Sequence, residues 1–135
     1  MNDKKKIDVV AAIIEHSSEI LAVRRGPSKF EYLSGKFEFP GGKVEEGESP
    51  QQAITREIKE ELLIDITVLS EFTTVRHEYP DFEITMKCFR CVSNNRALTL
   101  TEHTDYRWLP VEKLRSVEWA SADIPVVDKL MERTI

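Results

Sequence analysis

The chain has 135 residues, enough for one domain (residues 1–135) with a proper core, and 41% apolar with 32% charged residues is ordinary for a soluble globular protein. A net charge of −5 argues against a binder of nucleic-acid polymers that depends on a basic surface. No apolar run approaches the ~20 residues of a membrane span, and Asp8 interrupts the segment after the N-terminal lysines without a small-residue cleavage site, so no signal peptide and no membrane partner are expected and the expected location is the cytoplasm.

Lys6 to Ile14 is a nearly continuous, β-branched apolar run, which predicts a buried central strand. Glu15 to Glu19 reads as a turn, and Ile20 to Arg25 as a second strand that closes on two arginines. A loop from Gly26 to Gly35 leads to a short strand, Lys36 to Phe39, which enters a glycine turn. Beyond the helix described below, Ile66 to Val75 reads as a strand, Arg76 to Asp81 as a polar turn, and Phe82 to Val92 as the longest strand. Asp105 to Leu109 is a further short strand, and Pro110 to Leu114 begins a short helical segment. Ala122 to Arg133 is a terminal helix capped by Ser121 or Asp123. Strands on both sides of a single internal helix, with a second helix at the end, favour a mixed sheet between helices.

The residues that concentrate chemistry run from Gly41 to Ile64. Ser49 suits an N-cap and Pro50 the first helical position. Glu57, Glu60 and Glu61 stand at i, i+3 and i+4 and share a face, beside a stripe of Ile54, Ile58 and Leu62 that should pack on the core. Like charges at this spacing repel, and they sit beyond the first turn, where the helix dipole no longer favours them. A solvated acidic face is the plain alternative for a bare E-x-x-E-E. The preceding Gly41-Gly42-Lys43 shifts the balance, because adjacent glycines allow close backbone approach and a lysine offers a point charge to phosphate. Clustered carboxylates beside such a loop suit a hard divalent cation that also binds phosphate oxygens.

Cys88 and Cys91 form a C-x-x-C. In an alternating strand a spacing of three sends the two sulfurs to opposite faces, and no second cysteine pair exists to complete a zinc site. They are expected to be reduced thiols. His16, His77 and His103 lack ligand spacing; His103, beside Glu102, is in reach of a substrate, but a surface histidine is the plainer reading. A P-loop is excluded because Phe37 and Val44 occupy its first glycine and its Ser/Thr position.

The stretch resembles the Nudix box, G-x5-E-x7-R-E-U-x-E-E-x-G-U with U aliphatic. It matches at Gly42, Glu48, Arg56, Glu57, Ile58, Glu60, Glu61 and Ile64, and departs at Leu63, where the family carries its second glycine at the helix exit. Val9 to Ile14, Glu38 to Lys43, Glu102-His103 and Ala122 to Pro125 resemble the MutT-like branch, most closely the bacterial CTP pyrophosphohydrolases. The resemblance implies a Nudix α/β/α sandwich with a mixed central β-sheet. It implies hydrolysis of a nucleoside triphosphate to monophosphate and pyrophosphate, with Mg²⁺ as cofactor and Mn²⁺ as a substitute. Glu57, Glu60, Glu61 and the Gly41 carbonyl are then the metal ligands. One of these glutamates, or Glu102, is the base towards water. By the same resemblance Arg25 and Lys43 contact phosphates. Phe39 lies against the base or fills core.

Gly42, Glu48 and Arg56 are expected to support the loop. Arg56 lies about 100° round the helix from Glu57 and so should point away from it, towards Glu48. Asp123 meets the base edge by resemblance. An ionised carboxylate only accepts, which suits the cytosine N4 amino group; a helix-capping role is the alternative. An 8-oxo-dGTP diphosphatase and, in another class, a non-catalytic ligand-sensing Nudix module are the competing readings. The partner is a small nucleotide, and the assembly a monomer or homodimer.

Overall fold

The computed structural model describes residues 4–132. The elements, in order, are strands β1 (Lys5–His16), β2 (Glu19–Arg24), β3 (Phe37–Glu38) and β4 (Gly41–Lys43), and helix α1 (Pro50–Leu62). Then come β5 (Ile66–Glu78), β6 (Phe82–Ser93) and β7 (Asp105–Pro110), two 3-10 turns, η1 (Val111–Ser116) and η2 (Ser121–Asp123), and helix α2 (Ile124–Glu132). Arg133, the expected last residue of the terminal helix, lies outside the described residues.

The strands form one mixed sheet in the order β3-β2-β1-β6-β5, with β4 on β1 and β7 on β2. The β1–β6 pairing is parallel, from Lys5 against Phe82 to Glu15 against Val92, and the other pairings are antiparallel. Alternation along β1 supplies both faces of the core. Val10, Ala12 and Ile14 pack with Ala53, Ile54, Ile58 and Leu62 of α1. Ala11 and Ile13 face the other way, into a cluster with Val126, Val127 and Leu130 of α2. The expected sandwich and the apolar stripe of α1 are therefore both present. The two cysteines also separate as expected, Cys88 into one cluster and Cys91 into the other, both buried and unpaired. Burial pushes each thiol up to about 12.

Several boundaries differ from the sequence reading. Only residues 17 and 18 turn between β1 and β2; Ser17 and Ser18 both take positive φ, 50° and 67°, as a tight hairpin requires. Residues 76–78 belong to β5, because Val75 to Glu78 continue to pair with β6 residues Glu83 to Met86, so β5, not β6, is the longest strand. Their polarity reflects the exposed side of a strand rather than a turn. Gly41 to Lys43 is a strand paired with Val9 to Ala11, where a turn was expected. Before α2, Asp123 does not cap: its Oδ1 accepts from the Phe39 N–H at 3.0 Å, and Ser121 meets the Ile124 N–H through its carbonyl, not its side chain.

Helix α1 starts as its sequence dictates. Ser49 accepts from the Gln52 N–H, and the Gln52 side chain accepts from the Ser49 N–H, a reciprocal capping box. At the other end Leu63 occupies the left-handed conformation, φ 56° and ψ 36°, with its N–H donating to the Lys59 carbonyl. The chain thus makes the turn that a glycine would make, with a residue whose Cβ opposes it by about 1–2 kcal/mol. Leu63 is 53% exposed, so its side chain returns little through burial. We predict that Leu63→Gly raises folding stability by about 0.5–1 kcal/mol, after the extra backbone entropy of glycine is set against the relieved strain. The midpoint of urea unfolding measures it; a fall in midpoint refutes it.

Candidate active site

Gly41 and Gly42 bring the sheet against α1. A Cβ at Gly41 would overlap the Val10 carbonyl oxygen, and one at Gly42 would overlap the carboxylate of Glu57. Both glycines are therefore required by close approach, one to the backbone of β1 and one to an acidic side chain. Glu61, 6% exposed, lies buried behind the pair and accepts a backbone hydrogen bond from Gly41. Its Oε1 is buried with no partner among the described residues. Burial, reinforced by the charges of Glu57, Glu38 and Glu102, pushes the Glu61 carboxyl up to about 9.

Arg56 organises the loop and the helix together. Its guanidinium grips Glu48 with Nε at 2.6 Å and Nη2 at 3.0 Å, and Nη2 also donates to the Lys43 carbonyl at 3.1 Å. Nη1 donates to Glu57 at 2.9 Å and Glu60 at 3.0 Å. All five N–H donors are used. The brace to Glu48 was expected. The contacts to Glu57 and Glu60 were not, because the Cβ direction does not limit a side chain this long. The Arg56 bonds hold the Glu48 carboxyl below its usual range, and Glu48 in turn holds Arg56 protonated by raising its pKa.

The three helix glutamates are not equivalent. Glu57 is largely buried and meets Gly42, Glu61 is buried against Gly41, and Glu60 is exposed and turned to Arg56. Among the described residues no three His, Cys, Asp or Glu side chains already converge to hold an ion. The donor set nevertheless fits a hard divalent cation. It consists of carboxylate oxygens, and it includes a buried acceptor without a donor on a carboxyl raised far above its ordinary range. Glu102 reaches the same place from a distant loop. Thr99 and Thr101 donate from their backbones to the Leu62 and Glu61 carbonyls, and the Thr101 hydroxyl donates to the Glu60 carbonyl at 2.9 Å, closing the end of α1. Glu102, next in the chain, is exposed and close enough to raise Glu61.

On the α2 side of the sheet a cleft of about 660 Å³ is lined by Gly41, Gly42, Lys43, Arg25, Phe39 and Asp123, among others. The two glycines thus border both the cleft and the acidic helix. Lys43 is exposed at its edge, and Arg25 lies just past the end of β2. Phe39 is buried and stacks on Trp119 at 4.6 Å while also lining the cleft, so it fills core and offers a wall. Asp123 is 4% exposed; burial and then the charge of Glu38 raise its carboxyl well above the usual range.

Three residues of the site escaped the sequence reading. Glu38 bridges Arg25 Nη1 at 3.1 Å and His103 Nε2 at 2.9 Å. His103 is not a surface residue: its side chain is 5% exposed and its Nδ1 is buried without a partner among the described residues. Glu38 lies between Phe37 and Phe39 in a short strand, and an acidic residue between two buried aromatics was the available signal. Tyr79 also lines the cleft, and was concealed in the supposed turn.

A model of the NUDIX domain matches residues 9–129. The chain belongs to the Nudix family. It is 41% identical over 101 residues to an 8-oxo-dGTP diphosphatase of Proteus vulgaris, covering 73% of this chain and 88% of that one. It is 36% identical over 127 residues to the CTP pyrophosphohydrolase of Escherichia coli K12, covering 94% and 93%. The crystal structure of a MutT protein from Methanosarcina mazei Go1 superposes with a TM-score of 0.87 at 25% identity, covering 99% of each chain. Nudix hydrolases generally use divalent metals, which agrees with the donor set of α1.

The two glycines predict separate consequences. Gly41→Ala should fail to fold or lose several kcal/mol, since the obstacle is backbone. Gly42→Ala should fold with near-native stability but displace Glu57, lowering kcat about tenfold or more and raising the metal concentration for half-maximal activity. Thermal melts and metal titrations of turnover separate them; equal behaviour of the two variants refutes the assignment.

Proposed function

We infer that this Nudix protein is a nucleoside triphosphate pyrophosphohydrolase, and we propose that Mg²⁺ is its metal and cytosine nucleotides its substrates. The single observation that carries the reading is the buried, donor-less Oε1 of Glu61 beside Gly41, at the border of a cleft that is also lined by the buried carboxyl of Asp123. Glu61 and, after release from Arg56, Glu57 and Glu60 would hold the ion with the Gly41 carbonyl. When bound, the ion neutralises phosphate charge and favours attack by water. The protein's own share is positioning. Arg25 and Lys43, on the cleft, contact the phosphate chain as cations, with Glu38 aiming Arg25. Gly42, Glu48 and Arg56 keep the loop at the height the phosphates need. A carboxylate of the group Glu57, Glu60, Glu61 and Glu102 takes the proton of the attacking water. Phe39 lies under the base, and Asp123 in its ionised form accepts from the amino group of that base through the oxygen not engaged by Phe39.

The relative of Escherichia coli supports cytosine, and that of Proteus vulgaris supports 8-oxo-dGTP as the second reading. Incubation with CTP and Mg²⁺ should release CMP and pyrophosphate. Release of orthophosphate and CDP would contradict attack at the α–β linkage. Asp123→Asn, which adds a donor at the base edge, should change the ratio of kcat/KM for CTP against 8-oxo-dGTP by about tenfold or more. An unchanged ratio would leave Asp123 a buried anchor for Phe39 and nothing more.

A further inference from the structure

The aromatic wall of the cleft carries a polar group that phosphate chemistry does not use. Tyr79 is 4% exposed, and its ring is fixed by three neighbours. Tyr32 stacks on it at 5.2 Å and 16°, Phe82 lies at 5.1 Å, and His77 meets it edge-on at 4.4 Å. The phenolic oxygen accepts from the Ala122 N–H at 3.0 Å. A phenol has one hydrogen to give, and that hydrogen must then point away from Ala122. Among the described residues that hydrogen has no acceptor, while the charges of Asp123, Glu38 and Arg25 lie near enough to act on the phenol. Burial pushes the phenol up to about 12, so it remains a donor at neutral pH.

Ala122 is also the residue before Asp123, so Tyr79 and Asp123 are held at the same end of the cleft by adjacent links of the chain. Asp123, when ionised, offers an acceptor there and Tyr79 a donor. A donor beside an acceptor matches a base edge that presents a ring nitrogen next to an amino group. Resting on the cytosine reading above, we propose that Tyr79 is a second base-reading residue, its hydroxyl donating to cytosine N3 while Asp123 accepts from the N4 amino group. Uracil exchanges the two, with a carbonyl in place of the amine and an N–H at N3. In the same orientation it sets donor against donor and acceptor against acceptor, which selects against it.

The test is steady-state kinetics on CTP, UTP and 3-deazacytidine triphosphate, which carries C–H in place of N3, with the wild type and Tyr79→Phe. The wild type should show a KM for the deaza compound about tenfold above that for CTP, the worth of one hydrogen bond, with kcat within about twofold. Tyr79→Phe should raise KM for CTP by the same factor and abolish the difference between the two compounds. It should also narrow the preference for CTP over UTP. The wild-type comparison stands even if the variant is destabilised by loss of the Ala122 acceptor. Equal wild-type KM values for CTP and the deaza compound overturn the role of Tyr79 and leave the pyrophosphohydrolase reading intact, as does a variant that retains the full difference. A wild type that hydrolyses 8-oxo-dGTP but not CTP overturns the cytosine reading and this role with it.

Discussion

Glu61 brings a carboxyl group into the interior with one hydrogen bond from the Gly41 backbone and one oxygen left without a donor. An arrangement of this kind is unfavourable by itself, because a buried carboxyl either remains neutral or is ionised at a desolvation penalty of several kcal/mol. Three further acidic groups, Glu57, Glu38 and Glu102, add to the field around it. The rest of the structure can be understood as what keeps this group in place. The stripe Ile54, Ile58 and Leu62 fixes the rotation of α1, the glycine pair sets its distance from the sheet, and the loop through Thr101 closes its end.

Arg56 is the counterweight. By engaging Glu48, Glu57, Glu60 and the Lys43 carbonyl at once it ties loop to helix and offsets part of the acidic charge. It does not touch Glu61, which stays buried with one oxygen that has no donor among the described residues. The Glu38 bridge ties a second part of the cleft together, joining Arg25, just past β2, to His103 in the loop that carries Glu102. Leu63, where the family has glycine, adopts the left-handed conformation that a glycine would adopt at the exit of α1, so the turn itself is kept.

The sequence made some of this readable and hid the rest for physical reasons. Helical periodicity is local, so the carboxylate spacing, the apolar stripe, the Ser49 cap and the Glu48–Arg56 brace could be read from it. Strand periodicity likewise separated Cys88 from Cys91. Partners that meet only through the sheet were not readable. The pairing of Gly41 to Lys43 with β1 depends on Val9 to Ala11, far earlier in the chain. The extension of β5 over polar residues depends on its pairing with β6. Glu38, His103 and Tyr79 belong to three separate segments, each with a bland local pattern, and only the fold gives them neighbours. The reach of Arg56 to Glu57 was misjudged because backbone direction does not limit a long side chain.

The most direct test of the account is the pH dependence of unfolding in chelator, compared between the wild type and Glu61→Gln. A carboxyl raised from 4.5 to about 9 in the folded state contributes stability that is full below pH 4.5 and is lost progressively as pH rises towards 9. The wild type should therefore lose stability across that window and regain it on addition of Mg²⁺. Glu61→Gln should be the more stable protein at pH 8, with a shallower slope that Asp123 still supplies, and should lose most of the response to Mg²⁺. A Glu61→Gln protein that is less stable than the wild type at pH 8, with the same slope and the same gain from Mg²⁺, would contradict the claim that this carboxyl is held in readiness for a cation.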